Sequence, residues 1–204
     1  MRKKLSYALL LGAVLSTPLL VQSQTGASKP DANSTPPSQL EAAVTLNPLF
    51  AGTPMSSSAV SGNSFIMKGG SAQLDGRLLG GLSLTADFGG GYIRNMEGSG
   101  VGLDLLTITF GPRYSWQKNR YSIYGQMLAG EAWGRNSVFP SLSGPSSSAN
   151  SLALLGGGGI NRQICKRYTV RLFEADWLHT RLPNSTTNAQ NDLRVGAGIV
   201  VRIK

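Results

Sequence analysis

Leu193-Arg194-Val195-Gly196-Ala197-Gly198-Ile199-Val200-Val201-Arg202-Ile203 decides the fold class of this chain. Side chains alternate between the two faces of a strand. Leu193, Val195, Ala197, Ile199, Val201 and Ile203 therefore share one face. Arg194, Gly196, Gly198, Val200 and Arg202 share the other. A soluble sheet can carry such a pattern, so the rest of the chain must say which face meets what.

The opposite end supplies context. Arg2, Lys3 and Lys4 precede a mostly apolar stretch over residues 5–21, and Val21-Gln22-Ser23 offers small residues for cleavage before Gln24. Gly12, Ser16 and Pro18 interrupt the stretch, which makes it short for a retained helix of ~20 residues. Residues 1–23 read as a signal peptide. Residues 24–42 are rich in Ser, Thr, Pro, Asn and Gly and read as a flexible periplasmic leader. Residues 43–204 remain for a single domain.

No later run is long and apolar enough to span a bilayer as a helix. A membrane-embedded domain must then be a closed barrel, because open backbone is not satisfied in lipid. Alternating segments recur at 44–50, 64–74, 82–89, 106–114, 121–133, 152–163, 168–182 and 193–203. Most have about the length that a tilted strand needs to cross a bilayer. Asp75-Gly76 reads as a tight turn. Short connections at 75–79, 117–120 and 165–167 alternate with longer polar ones at 53–63, 94–102, 134–150 and 183–191. Outer-membrane barrels have short periplasmic turns and long external loops. An even strand count then places both termini in the periplasm. The fold class is all-β: an eight-stranded antiparallel up-and-down transmembrane β-barrel. Pro48 places the first strand at a sheet margin.

Parity assigns the faces. Leu82, Leu84, Ala86 and Phe88, with Leu106, Ile108 and Phe110, join the apolar face of 193–203 toward lipid. The other parity holds Asp87, Arg113, Glu174, Asp176, Arg194 and Arg202. An Arg facing mid-bilayer lipid costs ~2–4 kcal/mol, so a flipped register would face lipid with several charges together. Three acids and three arginines inside point to a structural ion-pair network. Eight strands enclose a lumen that side chains fill, so no open pore is expected. A narrow conduit or proton path is the functional alternative. Tyr114, Trp116, Tyr121 and Tyr168 fall near the short turns, and Tyr92, Trp133 and Trp177 nearer the long loops. That placement fits two aromatic girdles, although aromatics also favour strands intrinsically.

Other motifs carry little chemistry. Gly156-Gly157-Gly158-Gly159 lacks the Lys-Ser/Thr and helix of a phosphate loop, and reads as close packing in a barrel. His179 is the single histidine and Cys165 the single cysteine. No Gly-x-Ser-x-Gly elbow accompanies His179. No zinc-type ligand spacing occurs. No catalytic residue, metal site or cofactor is expected. The net charge is +9, about +6 once Arg2, Lys3 and Lys4 leave with the signal. The basic residues are scattered, and nucleic acid is not an expected partner.

Several stretches carry a resemblance. They are Phe65-Ile66-Met67-Lys68-Gly69-Gly70, Thr85-Ala86-Asp87-Phe88, Phe110-Gly111-Pro112-Arg113-Tyr114, Glu174-Ala175-Asp176-Trp177-Leu178 and Thr187-Asn188-Ala189-Gln190-Asn191-Asp192-Leu193-Arg194. Over residues 64–203 the chain resembles small bacterial outer-membrane barrels of the OmpA/OmpX-like architecture. The resemblance implies a Gram-negative outer membrane, contact with lipid and lipopolysaccharide, insertion by the barrel-assembly machinery, a monomer, and no catalytic residues. Such barrels usually close on an aromatic residue; Ile203 stands there instead. The expected role is structural or surface-interacting, with loop 134–150 as the contact for an extracellular ligand. Two rival readings remain: a soluble lipocalin-like barrel binding an apolar ligand, and a lipid-modifying barrel enzyme using His179.

Overall fold

The computed structural model describes residues 40–52, 65–95, 101–141, 144–184 and 188–203. The expected signal and most of the leader lie outside the described residues. The strands are β1 (Leu40–Leu46), β2 (Leu49–Ala51), β3 (Phe65–Leu79), β4 (Leu82–Ile93), β5 (Leu103–Lys118), β6 (Tyr121–Phe139), β7 (Ser146–Gln163), β8 (Tyr168–Thr180) and β9 (Gln190–Arg202). All pairings are antiparallel between neighbours. β1 and β2 both pair with β3 on one side and β9 on the other, so they are two halves of one stave. The result is a closed ring of eight staves.

The halves are divided at Asn47-Pro48. Proline has no N–H for a ladder, which pointed to a sheet margin. Pro48 sits instead inside the closing stave, between two partner strands. The ladder tolerates it because Asn47 N–H donates to the Gly69 carbonyl at 3.2 Å and Val195 N–H to the Pro48 carbonyl at 3.3 Å. The stave begins at Leu40, within the stretch read from sequence as leader.

Ring closure is staggered. From Ala42 the paired row runs through Leu74, Ala86, Phe110, Ala129, Leu154 and His179 to Asn191. The β9 partner of Ala42 is Val201, ten residues from Asn191. Such an offset tilts the staves, and at eight staves side chains fill the interior.

The faces follow the sequence parity. Phe110 is 65% exposed on the outside, while Thr107 and Thr109 are at most 1% exposed inside. Leu82, Leu84, Phe88, Leu106, Ile108 and Ile199 also point outward. A soluble ligand-binding barrel needs the reverse arrangement, with a polar outside.

Two expectations about the connections change. Asp75-Gly76 is not a turn: β3 continues to Leu79, and the reversal falls at Gly80, whose φ is +54°. Asp-Gly is a strong turn signal, but here the Asp75 carboxylate is buried and held by Arg113. The long connection at 134–150 is largely strand, since β6 reaches Phe139 and β7 begins at Ser146. β8 carries a bulge between Arg171 and Glu174. Arg171 and Glu174 both point inward, and Leu172 and Phe173 both outward.

Candidate functional site

The lumen has two layers. The layer nearer the short turns is a continuous polar network. Arg194 donates to Asp87 Oδ1 at 3.1 Å and to Asp176 Oδ2 at 3.0 Å. Arg113 pairs with Asp75 and donates to Gln73 Oε1 at 2.7 Å. Arg171 pairs with Glu174 and donates to Gln73 Oε1 at 2.7 Å and to Thr45 Oγ1 at 3.1 Å. Gln73 in turn donates to Asp87 Oδ2, and Gln126 to Asp176 Oδ1, each at 2.8 Å. Tyr124 donates to Glu174, and its ring receives the Arg113 guanidinium at 4.3 Å and that of Arg171 at 5.1 Å. Arg194 thus joins carboxylates on β4 and β8, Arg113 joins groups on β3 and β6, and Arg171 joins groups on β1 and β3, so the three guanidiniums tie different staves together.

This network differs from the sequence expectation in membership. Asp87, Arg113, Glu174, Asp176 and Arg194 come together, joined by Asp75 and Arg171. Arg202 does not reach them. It lies at the short-turn mouth, paired with Glu41 at 2.9 Å. The balance is therefore four carboxylates on three arginines, not three on three. Asp192 is a further buried carboxylate, nearer the long loops, and accepts the Gly52 backbone N–H.

Toward the long loops the lumen turns apolar. Leu49, Ala51, Met67, Leu105, Leu128, Ala132, Phe139, Ala153, Leu155, Leu178 and Leu182 form one buried cluster. They come from β2, β3, β5, β6, β7 and β8 and from the chain just past β8. Phe139 and Leu182 fold over Gly134. This apolar layer lies between the charges and the long loops. Burying an ion there without partners costs several kcal/mol. Below the network, a polar cavity of about 40 Å³ is lined by Glu41, Asp75, Arg77, Ser83 and Asn161, among others. It has room for water but leads into the closed network.

Glycines supply the space for this filling. Gly89 faces inward where a Cβ would overlap the Arg194 guanidinium. Gly157 faces inward against Asp176 and the Ala175 carbonyl. Gly157→Ala should destabilise the barrel by about 1–3 kcal/mol, because the added methyl has nowhere to go. Urea-induced unfolding followed by tryptophan fluorescence reads this; an unchanged midpoint contradicts it.

The two ends of the outer surface differ. Trp116, Tyr114, Tyr121 and Tyr168 are exposed beside the short turns, with the Tyr114 and Trp116 ring centroids 4.5 Å apart. Tyr92 and Trp177 are exposed and Trp133 half-buried toward the long loops. Outward polar groups also lie toward the long-loop end. Glu131 Oε1 accepts from Asn150 at 2.7 Å, and Asn136 donates to Asp104.

His179 is on the outer face. Its Nδ1 lies 2.9 Å from Asn191 Oδ1, and its ring stacks on Trp177 with centroids 5.7 Å apart. Asn191 stands where a Ser-His-Asp triad has its carboxylate. Cys165 is exposed in the short β7–β8 turn. Among the described residues no His, Cys, Asp and Glu side chains gather into a metal-binding group.

An apolar belt around a charge-filled, capped lumen defines the class of fold: an eight-stranded antiparallel barrel of the transmembrane type. Among the solved structures it matches, Neisserial surface protein A is a barrel of that kind. Neisserial surface protein A aligns with a TM-score of 0.60 at 13% identity, over 81% of this chain and 98% of that one. Ail, the attachment invasion locus protein of Yersinia pestis, aligns with a TM-score of 0.48 at 16% identity, over 79% of this chain and 99% of that one. No family model matches the sequence, and no curated protein does.

Proposed function

We propose that this protein is a non-conducting outer-membrane barrel of a Gram-negative bacterium, exported by residues 1–23, with both termini in the periplasm. It holds a recognition rim at the cell surface and carries no reaction. One observation carries this reading: apolar outward side chains surround a lumen packed with ion pairs and capped by an apolar layer. A barrel built that way gains from lipid outside and has no path through. Insertion by the barrel-assembly machinery and a monomeric state go with it.

The rim is the surface left for partners. Arg94, Arg135 and Arg181 are exposed there, and Lys68 points outward just below. Phosphate-rich lipopolysaccharide is the natural counterpart of these cations. The strands extend into 134–150, so the contact for an extracellular ligand narrows to the tip at 140–145 and its neighbouring loops.

Fractionation of cells producing the full chain tests the reading. The protein should sediment with outer membranes and migrate faster in detergent gels before boiling than after. Reconstituted in planar bilayers, it should add no steady conductance. Recovery in the soluble periplasmic fraction would overturn the membrane reading, and stable channel steps would overturn the closed lumen.

A further inference from the structure

The short-turn end carries an unbalanced charge. Lys118 and Arg120 flank the β5–β6 turn, and Arg162, Lys166 and Arg167 flank the β7–β8 turn; all five are exposed. The carboxylates described at this end are Glu41 and Asp75, and both are engaged by arginines, Arg202 and Arg113 respectively. The other rim is different, since its cations are interspersed with Asp104 and Glu131.

The cations are also placed, not merely present. Lys118 pairs in register with Tyr121, and Tyr121 with Arg162, so the three form one row on the outer face. The Arg162 guanidinium stands 5.7 Å from the Tyr121 ring centroid. Gln163 N–H donates to the Arg120 carbonyl at 2.7 Å, which ties the two turns together. Arg202 N–H donates to the Arg167 carbonyl at 3.0 Å and anchors the second turn to β9. The third turn, at Leu79-Gly80-Gly81, exposes Leu78 and Leu79, and its nearest cation, Arg77, is half-buried and lines the lumen cavity. The exposed cations described at this end are therefore confined to the β5–β8 arc, just outside the ring of Tyr114, Trp116, Tyr121 and Tyr168, while Arg77 and Arg202 are half-buried at the lumen mouth.

We propose that Lys118, Arg120, Arg162, Lys166 and Arg167 form a one-sided binding surface for anionic phospholipid headgroups of the periplasmic leaflet. The guanidinium and ammonium groups meet the phosphate at headgroup depth, and the aromatic ring beneath them meets the upper acyl chains. The surface gives the barrel a preferred lipid neighbour on one side only. The proposal rests on the membrane reading above and on the short turns facing the periplasm.

Tryptophan placement makes it measurable. Trp116 lies at this end, while Trp133 and Trp177 lie toward the other. The full chain with Trp133→Phe and Trp177→Phe reports from Trp116 alone. Its quenching by brominated phosphatidylglycerol in phosphatidylcholine vesicles, and by the reverse mixture, gives a lipid-exchange constant. We expect about fivefold preference for phosphatidylglycerol, the effect of one basic side chain at an anionic surface. Replacing the five cations by Gln should bring the constant to about one, and exchanging each Lys for Arg and each Arg for Lys should preserve the preference. If the fivefold variant does not fold, the two turns are neutralised separately, and each should lower the constant.

A constant near one in the parent chain overturns the proposal, as does a preference that survives neutralisation. Stronger displacement of phosphatidylglycerol from Trp116 by lipopolysaccharide would assign this end to the outer leaflet and also overturn it. Absence of quenching by either brominated lipid would show that the chain is not in the bilayer, which is failure of the membrane reading itself.

Discussion

Replacing Arg194 by alanine should destabilise the folded barrel by about 3–5 kcal/mol, the cost of removing one partner from a buried ion-pair system. Arg194 is the guanidinium that joins Asp87 on β4 to Asp176 on β8. Without it, both carboxylates stay buried. Each keeps an amide, Gln73 on Asp87 and Gln126 on Asp176, but neither keeps a cation in hydrogen-bond contact. The penalty comes from the stranded charges more than from the lost pair. Arg194→Met combined with Asp87→Asn and Asp176→Asn should therefore be more stable than Arg194→Ala alone. Urea titration in vesicles, with the shift of mobility in unboiled gels as a second readout, compares them. Equal stability of Arg194→Ala and the parent chain would remove the network from the account of what holds the ring closed.

Phe110→Arg should cost about 2–4 kcal/mol when the chain folds into bilayers. Phe110 lies mid-strand on the outer face, with Ala86 and Ala129 as its register neighbours. It is 65% exposed, which in water would make the substitution nearly neutral. The environment, not the packing, sets the size of the effect. Phe110→Leu is the matched control and should change stability by less than about 1.5 kcal/mol. If Phe110→Arg is tolerated as well as Phe110→Leu, the outer face does not meet lipid.

Much of the lower barrel was legible because alternation is a local property. Thr107, Thr109 and Arg113 alternate with Ile108 and Phe110 in a single stretch, and no partner strand is needed to see it. The upper lumen was not legible for a related reason. Leu105-Leu106, Met127-Leu128, Leu154-Leu155 and Trp177-Leu178 are apolar on both faces, so the period of two disappears where lipid lies outside and a dry cap inside. Of these, Leu105-Leu106 and Trp177-Leu178 lie at the long-loop ends of β5 and β8 and were the available sign of an apolar layer there.

The network members missed in the sequence have separate causes. Arg171 was hidden by the bulge before Glu174, since continuing the parity of Glu174 and Asp176 would place it outside. Asp75 was hidden by Gly76, because Asp-Gly is as much a turn signal as a lumen carboxylate followed by a small residue. Arg202 was placed with the lumen charges by parity alone, which records the face of a strand and not the depth along it.

The sequence by itself determined the strand periodicity, the outward face of most strands and the presence of charge inside. These depend on residue order and on the cost of placing charge in lipid, which is the same at every strand. Only the tertiary structure decided which charges meet, that Pro48 lies within the closing stave, and that an apolar layer lies above the ion pairs. Those features depend on the ten-residue stagger and on the β8 bulge. Both are properties of how the ring closes, and no single strand carries them.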